Sequence, residues 1–248
     1  MKILLPKISA CLLTSFLLIG FVLQADADNL SDAKAAIAKG DFVKAAKIYQ
    51  EAAQAGDVKA QYNLGLMYLS GDGVKQDNAE ALKWFTASAN GGFAEAQYRL
   101  GVIYFRNDIV PIDYVEAVKW YRAAATQGHV KSQLDMGVIY YSGAVVEQDY
   151  AEAIKWYKLA ASQGLTEAQF NLGSMYLKGE GVPEDLVKGY MWVYLSTLPN
   201  NAQLNEPARN NAKRFTVLNF FANKMTAEQV VEAKSLANAC QANNFSAC

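Results

Sequence analysis

Between residue 40 and about residue 195 the apolar positions recur as short helical stripes separated by glycine. In 60–70, Ala60, Leu64, Met67 and Tyr68 share one face at about 100° per residue, which predicts a helix. Gly71-Asp72-Gly73 breaks it. Ala81, Trp84, Phe85 and Ala89 then predict a second helix. Asp77 with Glu80 three residues on has the pattern of a capping box at its start, and Asp113/Glu116 and Asp149/Glu152 repeat that pattern. Gly92 suits a left-handed C-cap, a column in which Asn200 stands last.

The stripes repeat every 36 residues. Trp84, Trp120, Trp156 and Trp192 share that spacing, as do Gly65, Gly101, Gly137 and Gly173. Tyr68, Tyr104, Tyr140 and Tyr176 form another column, and Asp77, Asp113, Asp149 and Asp185 another. A fixed period of this size signals stacked supersecondary units. A glycine inside a helix costs roughly 1 kcal/mol against alanine, so its recurrence predicts a close helix crossing. The tryptophan column is expected to fill the core layers.

The two ends differ. Lys2 and Lys7 precede an apolar run from Ile8 to Leu23, and Ala25-Asp26-Ala27 offers a small-x-small cleavage site. This predicts a signal peptide over 1–27 and a mature start at Asp28. The run is short for a membrane span. Cys11 precedes most of the apolar run, where a lipidated cysteine would follow it. At the other end Pro207 suits a first helical turn. Phe215, Leu218 and Phe221 recur at helical spacing. Thr226 and Gln229 form a capping box, after which Val230, Ala233, Leu236, Ala237 and Cys240 share a face. These read as capping helices that cover the last open face.

Charge and chemistry narrow the function. Twenty-three Lys and Arg balance 24 Asp and Glu, so no electrostatic footprint for nucleic acid exists. His129, the single histidine, follows a helix-ending glycine and shares its column with Asp57, Phe93 and Leu165. Catalytic, metal and cofactor sites are therefore not expected. Signal removal leaves Cys240 and Cys248, an even pair that predicts one disulfide on an exported chain. A metal site or a reactive dithiol is the alternative, and no His or further Cys lies nearby.

Ala60-Gln61-Tyr62-Asn63-Leu64-Gly65-Leu66-Met67-Tyr68, Gly71-Asp72-Gly73-Val74 and Ala79-Glu80-Ala81-Leu82-Lys83-Trp84-Phe85 resemble the Sel1-like repeat, a relative of the tetratricopeptide repeat. The resemblance implies an all-α fold, a right-handed superhelical solenoid of helical hairpins. Its units would be 60–95, 96–131, 132–167 and 168–200, after a tetratricopeptide-like unit at 28–59 and before a cap at 201–248. Departures are local: Asn107-Asp108-Ile109-Val110 and Gly143-Ala144-Val145-Val146 replace the turn, and Gly189 replaces the alanine at 81, 117 and 153.

If the first helices line an inner curve, as the resemblance implies, the positions off their core face form a groove for a protein or peptide. These are Tyr62, Asn63, Leu66, Leu69 and Ser70, then Tyr98, Arg99, Val102, Phe105 and Arg106. Leu134, Asp135, Val138, Tyr141 and Ser142 follow, then Phe170, Asn171, Ser174, Leu177 and Lys178. Several columns vary from unit to unit, as a groove reading a non-repetitive ligand would; variable positions that are merely solvated show the same contrast. The expected function is a protein-binding scaffold in the periplasm or outside a Gram-negative cell, touching membrane only through the signal segment. The rivals are a cell-envelope enzyme or β-lactam binder, which the absence of cysteine pairs within the repeats disfavours, and a membrane-tethered scaffold that keeps its N-terminal segment.

Overall fold

The computed structural model describes residues 30–107, 109–198, 208–245 and 248, with 208–211 as backbone only. Residues 1–27, Asp108, Asn200 and Pro207 lie outside the described residues. Every regular element described is an α-helix. They are α1 (30–38), α2 (Phe42–Gln54), α3 (Val58–Ser70), α4 (Asn78–Asn90), α5 (Ala94–Arg106), α6 (Tyr114–Thr126), α7 (Val130–Ser142), α8 (Tyr150–Ala161), α9 (Thr166–Lys178), α10 (Leu186–Leu195), α11 (Ala208–Ala222) and α12 (Ala227–Ala242). The chain divides within α5 into two compact units, residues 1–97 and 98–248. Among the described residues no helix is long and apolar enough to cross a membrane.

The glycine column makes room for a ring. A Cβ on Gly65 of α3 would fall 2.8 Å from Phe85 of α4. In the second unit a Cβ on Gly101 would meet Tyr121 at 2.5 Å, and one on Gly137 would meet Tyr157 at 2.4 Å. At Gly173 the neighbours are the Val193 side chain and the backbone of α10, so those two helices approach most closely. The aromatic at the heart of each of the first three hairpins is thus the residue after the tryptophan. Phe85, Tyr121 and Tyr157 are buried, whereas Trp84 and Trp120 are only half-buried, with Lys83 and Lys119 5.3 and 5.2 Å above their rings. The expected tryptophan core holds at Trp156 and Trp192 alone. Only the following position faces the glycine, so only that ring enters the hairpin.

The capping boxes form by half. Asp77 accepts from the backbone N–H of Ala79 and Glu80, and Asp113, Asp149 and Asp185 each accept from the N–H three residues on. The return bond from glutamate is absent. The aspartate N–H groups instead donate to the carbonyls of Tyr68, Tyr104, Tyr140 and Tyr176, nine residues back. With no donor left to satisfy, Glu80 and Glu116 pair with Lys83 and Lys119 at 2.9 and 3.0 Å, and Glu152 pairs with Lys155. These exposed pairs contribute little to stability. The helix-ending carbonyls have their own partner: Gln61, Gln97, Gln133 and Gln169 donate from Nε2 to the carbonyls of Ala53, Ala89, Ala125 and Ala161, at 3.1 to 3.2 Å. This glutamine column ties the first turn of α3, α5, α7 and α9 to the end of the helix before it.

First helices end on a left-handed residue: Gly71, Gly143 and Gly179 have φ of 83°, 64° and 69°. Asn107 takes the same role at φ 60°. Asparagine tolerates that region best after glycine, so α5 can end as the other first helices do.

At the C-terminus Thr226 and Gln229 form the complete box, with bonds of 2.9 and 3.2 Å. Leu218, Ala233, Ala237 and Cys240 join the core of the second unit. Phe215 and Leu236, expected on those buried faces, are 50% and 46% exposed, because helical spacing carries each past the edge of the contact. The Cα atoms of Cys240 and Cys248 lie 5.4 Å apart, within the span of a disulfide.

Candidate protein-binding surface

In the first unit the candidate strip is largely self-satisfied. Tyr62 packs between Phe85 and Phe93, with ring centroids at 5.7 and 5.5 Å. Asn63 donates to the Lys59 carbonyl at 2.8 Å, and the Ser70 hydroxyl donates to the Leu66 carbonyl at 3.1 Å. Leu66 and Leu69 are half-buried.

The second unit carries more varied chemistry. Tyr98 packs on Tyr121 at 5.9 Å and on His129 at 4.6 Å. His129 is the N-cap of α7, its Nδ1 accepting from the Ser132 backbone N–H at 3.2 Å. Phe105 lies against Tyr114 and Tyr121, Arg99 and Val102 are half-buried, and Arg106 is exposed. Asp135 is half-buried on α7; burial pushes its carboxyl up to about 6, with Glu167 adding to the rise and Arg106 and Lys131 opposing it.

Two predicted surface residues are core. Leu134 is 9% exposed and Leu177 is 1% exposed, both within the hydrophobic cluster of this unit. A Cβ on Gly189 would fall 2.6 Å from Leu177 Cγ. The change from alanine to glycine at 189 therefore opens the space that Leu177 fills.

Val138, Tyr141, Phe170, Asn171, Ser174 and Lys178 do come together, in a groove of about 490 Å³. Its wall includes Tyr157, Met175, Glu180, Lys213 and Val217, which the sequence reading did not single out. Tyr157 and Met175 belong to the repeats, but Lys213 and Val217 come from α11. Val138 is 41% exposed and offers an open apolar contact. The Tyr141 hydroxyl donates to Glu180 Oε2 at 3.0 Å, and Lys178 Nζ lies 3.5 Å from Glu180. Burial, with help from that carboxylate bond, raises the Tyr141 hydroxyl above its ordinary range. Ser174 donates to the Phe170 carbonyl at 2.8 Å. Lys213 Nζ stands 5.4 Å above the Phe170 ring. Ser142 sits beyond the groove and donates to the Ile139 carbonyl at 3.2 Å. The groove thus offers apolar and aromatic walls, one closed ion pair and one cation held over a ring. Such a surface suits recognition by contact more than bond-making chemistry.

The Sel1 repeat family matches the chain at residues 35–57, 58–93, 94–129, 130–165 and 166–196. Val58, Ala94, Val130 and Thr166, where four of these frames open, are the first residues of α3, α5, α7 and α9. No curated protein sequence matches the chain. Two solved structures are similar to it. A protective antigen present in uropathogenic Escherichia coli strains, displaying an SLR fold, is 31% identical with a TM-score of 0.66, over 82% of this chain and 42% of the antigen. A Sel1 repeat protein from Oxalobacter formigenes is 33% identical with a TM-score of 0.61, over 71% of this chain and 49% of that one. The chain spans less than half the length of either relative. Repeats that match more than half of the chain, in register with its helical hairpins, make it a member of the Sel1 repeat family, an all-α repeat scaffold whose members generally mediate protein–protein interaction.

Proposed function

We propose that the protein is an exported scaffold that docks an extended or helical segment of a partner protein in the groove formed by α7, α9 and α11. The single observation that carries this reading is the groove itself. It has an open apolar contact at Val138, an aromatic wall at Phe170, and charged groups at its rim. Aromatic anchors surrounded by polar groups are the usual source of binding energy at protein interfaces, and a peptide segment is the natural cargo of such a channel. Export is supported by the apolar run and cleavage pattern of 1–27, and by two cysteines at disulfide spacing. The compartment that follows is the periplasm or the extracellular space, with Cys240 and Cys248 oxidised. No catalytic role is proposed.

The test is affinity capture from envelope extract with wild type and with Phe170→Ala/Lys178→Ala/Lys213→Ala, both checked for unchanged helicity. Loss of a specific partner from the triple variant supports the groove. Equal recovery of every captured protein refutes it.

A further inference from the structure

A second cavity, of about 540 Å³, shares no lining residue with the groove. Its apolar wall is made by Leu159, Trp192 and Phe245, and its rim by Lys155, Lys158 and Lys188. Lys155 is paired with Glu152. Lys158 and Lys188 are not: among the described residues neither has a carboxylate in ion-pair range. Both stand over the Tyr176 ring, at 5.9 and 4.9 Å from its centroid. Each ammonium is held near an aromatic face and left without a carboxylate, so both stay open to a negative group. Trp192 is 3% exposed, so it closes the floor of the cavity with the edge of a core side chain.

The fourth component is the tail after α12. Asn244 and Phe245 both adopt positive φ, 48° and 62°, a conformation that non-glycine residues hold only when their surroundings demand it. Here the surroundings are the Cys240–Cys248 link and Gly164, whose missing side chain leaves the Phe245 ring its seat: a Cβ there would fall 2.9 Å from the ring. The cost of the turn goes into placing one aromatic side chain as a wall of the cavity. Leu159, 47% exposed, stands opposite as uncovered apolar surface.

We propose that this cavity binds a small organic anion with an apolar body, its carboxylate or phosphate head held by Lys158 and Lys188 and its body laid among Leu159, Trp192 and Phe245. The cavity size suits a small molecule. The charge pattern favours an anion, and the apolar wall adds contact that a bare inorganic anion cannot use.

The experiment is calorimetric titration of the full chain with decanoate below its micelle concentration, with decanol and inorganic phosphate as separate titrants. Decanoate is expected to bind at least tenfold tighter than either. Lys158→Gln/Lys188→Gln is expected to weaken decanoate at least tenfold while helicity is unchanged. Phe245→Ala, which leaves the cations in place, is expected to weaken it severalfold. Equal affinity for decanol, equal affinity for phosphate, or full binding by the lysine variant would each overturn the proposal. The groove variant Phe170→Ala/Lys178→Ala/Lys213→Ala should bind decanoate normally, so failure here and failure of the proposed protein-binding groove are separately visible.

Discussion

Substituting Gly137 by alanine sets two opposed energies against each other. In an exposed helix the change would stabilise by about 1 kcal/mol, because alanine loses less backbone freedom. In α7 the new methyl carbon would sit 2.4 and 2.5 Å from two ring carbons of Tyr157, well inside contact distance. Tyr157 is 2% exposed, so the ring has no free direction in which to yield. Overpacking of this kind costs about 1–3 kcal/mol, and the severity of the overlap puts it at the upper end. The net expectation is a loss of about 1–2 kcal/mol, seen in urea as a midpoint lowered by about 0.5–1 M. Gly173→Ala should cost more, because its methyl would meet the Gly189 carbonyl and the Val193 amide at 2.8 Å and only a shift of α10 relieves that. Gly65→Ala, with contacts of 2.8 Å to ring carbons of Phe85 alone, should cost least. In a Tyr157→Leu background the alanine at 137 should lose most of its penalty, which a double-mutant cycle reads directly. A Gly137→Ala midpoint equal to or above wild type would refute the idea that the glycine column exists to seat rings.

Three further outcomes follow from the same contacts. Asp149→Ala should cost about 1 kcal/mol through loss of the cap, whereas Glu152→Ala should cost a few tenths at most; equal losses in thermal unfolding would mean the reciprocal box is present after all. The Asp135 carboxyl, raised to about 6, binds its proton more tightly folded than unfolded, so its contribution is fullest below the unfolded value near 4 and fades as pH climbs toward about 6. Asp135→Asn should therefore shrink the drop in urea midpoint between pH 4 and pH 7, and an unchanged drop contradicts the assignment. Thiol labelling of the non-reduced protein should find Cys240 and Cys248 blocked, and their replacement by serine should cost roughly 2 kcal/mol; two free thiols would sink the disulfide.

The hairpins were legible because their period is carried by residue types that have few alternatives: glycine at 65, 101, 137 and 173, and aspartate at each second-helix start. The choice between neighbours was not legible. Trp84 and Phe85 are adjacent apolar rings, and a 100° step alone decides which one meets the glycine; the sequence pattern tolerates both. Leu177 carried no local mark of burial, since its space is made by Gly189 on another helix. The glutamate return bond failed for a similar reason, because its donor was already taken by a carbonyl nine residues away. Within the groove, six of the residues read from the repeat register converge, but Lys213 and Val217 lie on a cap helix that has no register to read. Terminal units are atypical by necessity, so one wall of the site could be found only in three dimensions.

The most direct measurement places a photo-crosslinking benzoylphenylalanine at Val138, in the groove, and in parallel at Val231, 68% exposed on α12 and outside it. In cells the groove position should give a light-dependent adduct with a distinct protein, the α12 position should not, and Lys213→Ala should abolish the adduct. Adducts of equal yield at both positions, or none at Val138, would contradict the claim that this groove is where a partner docks.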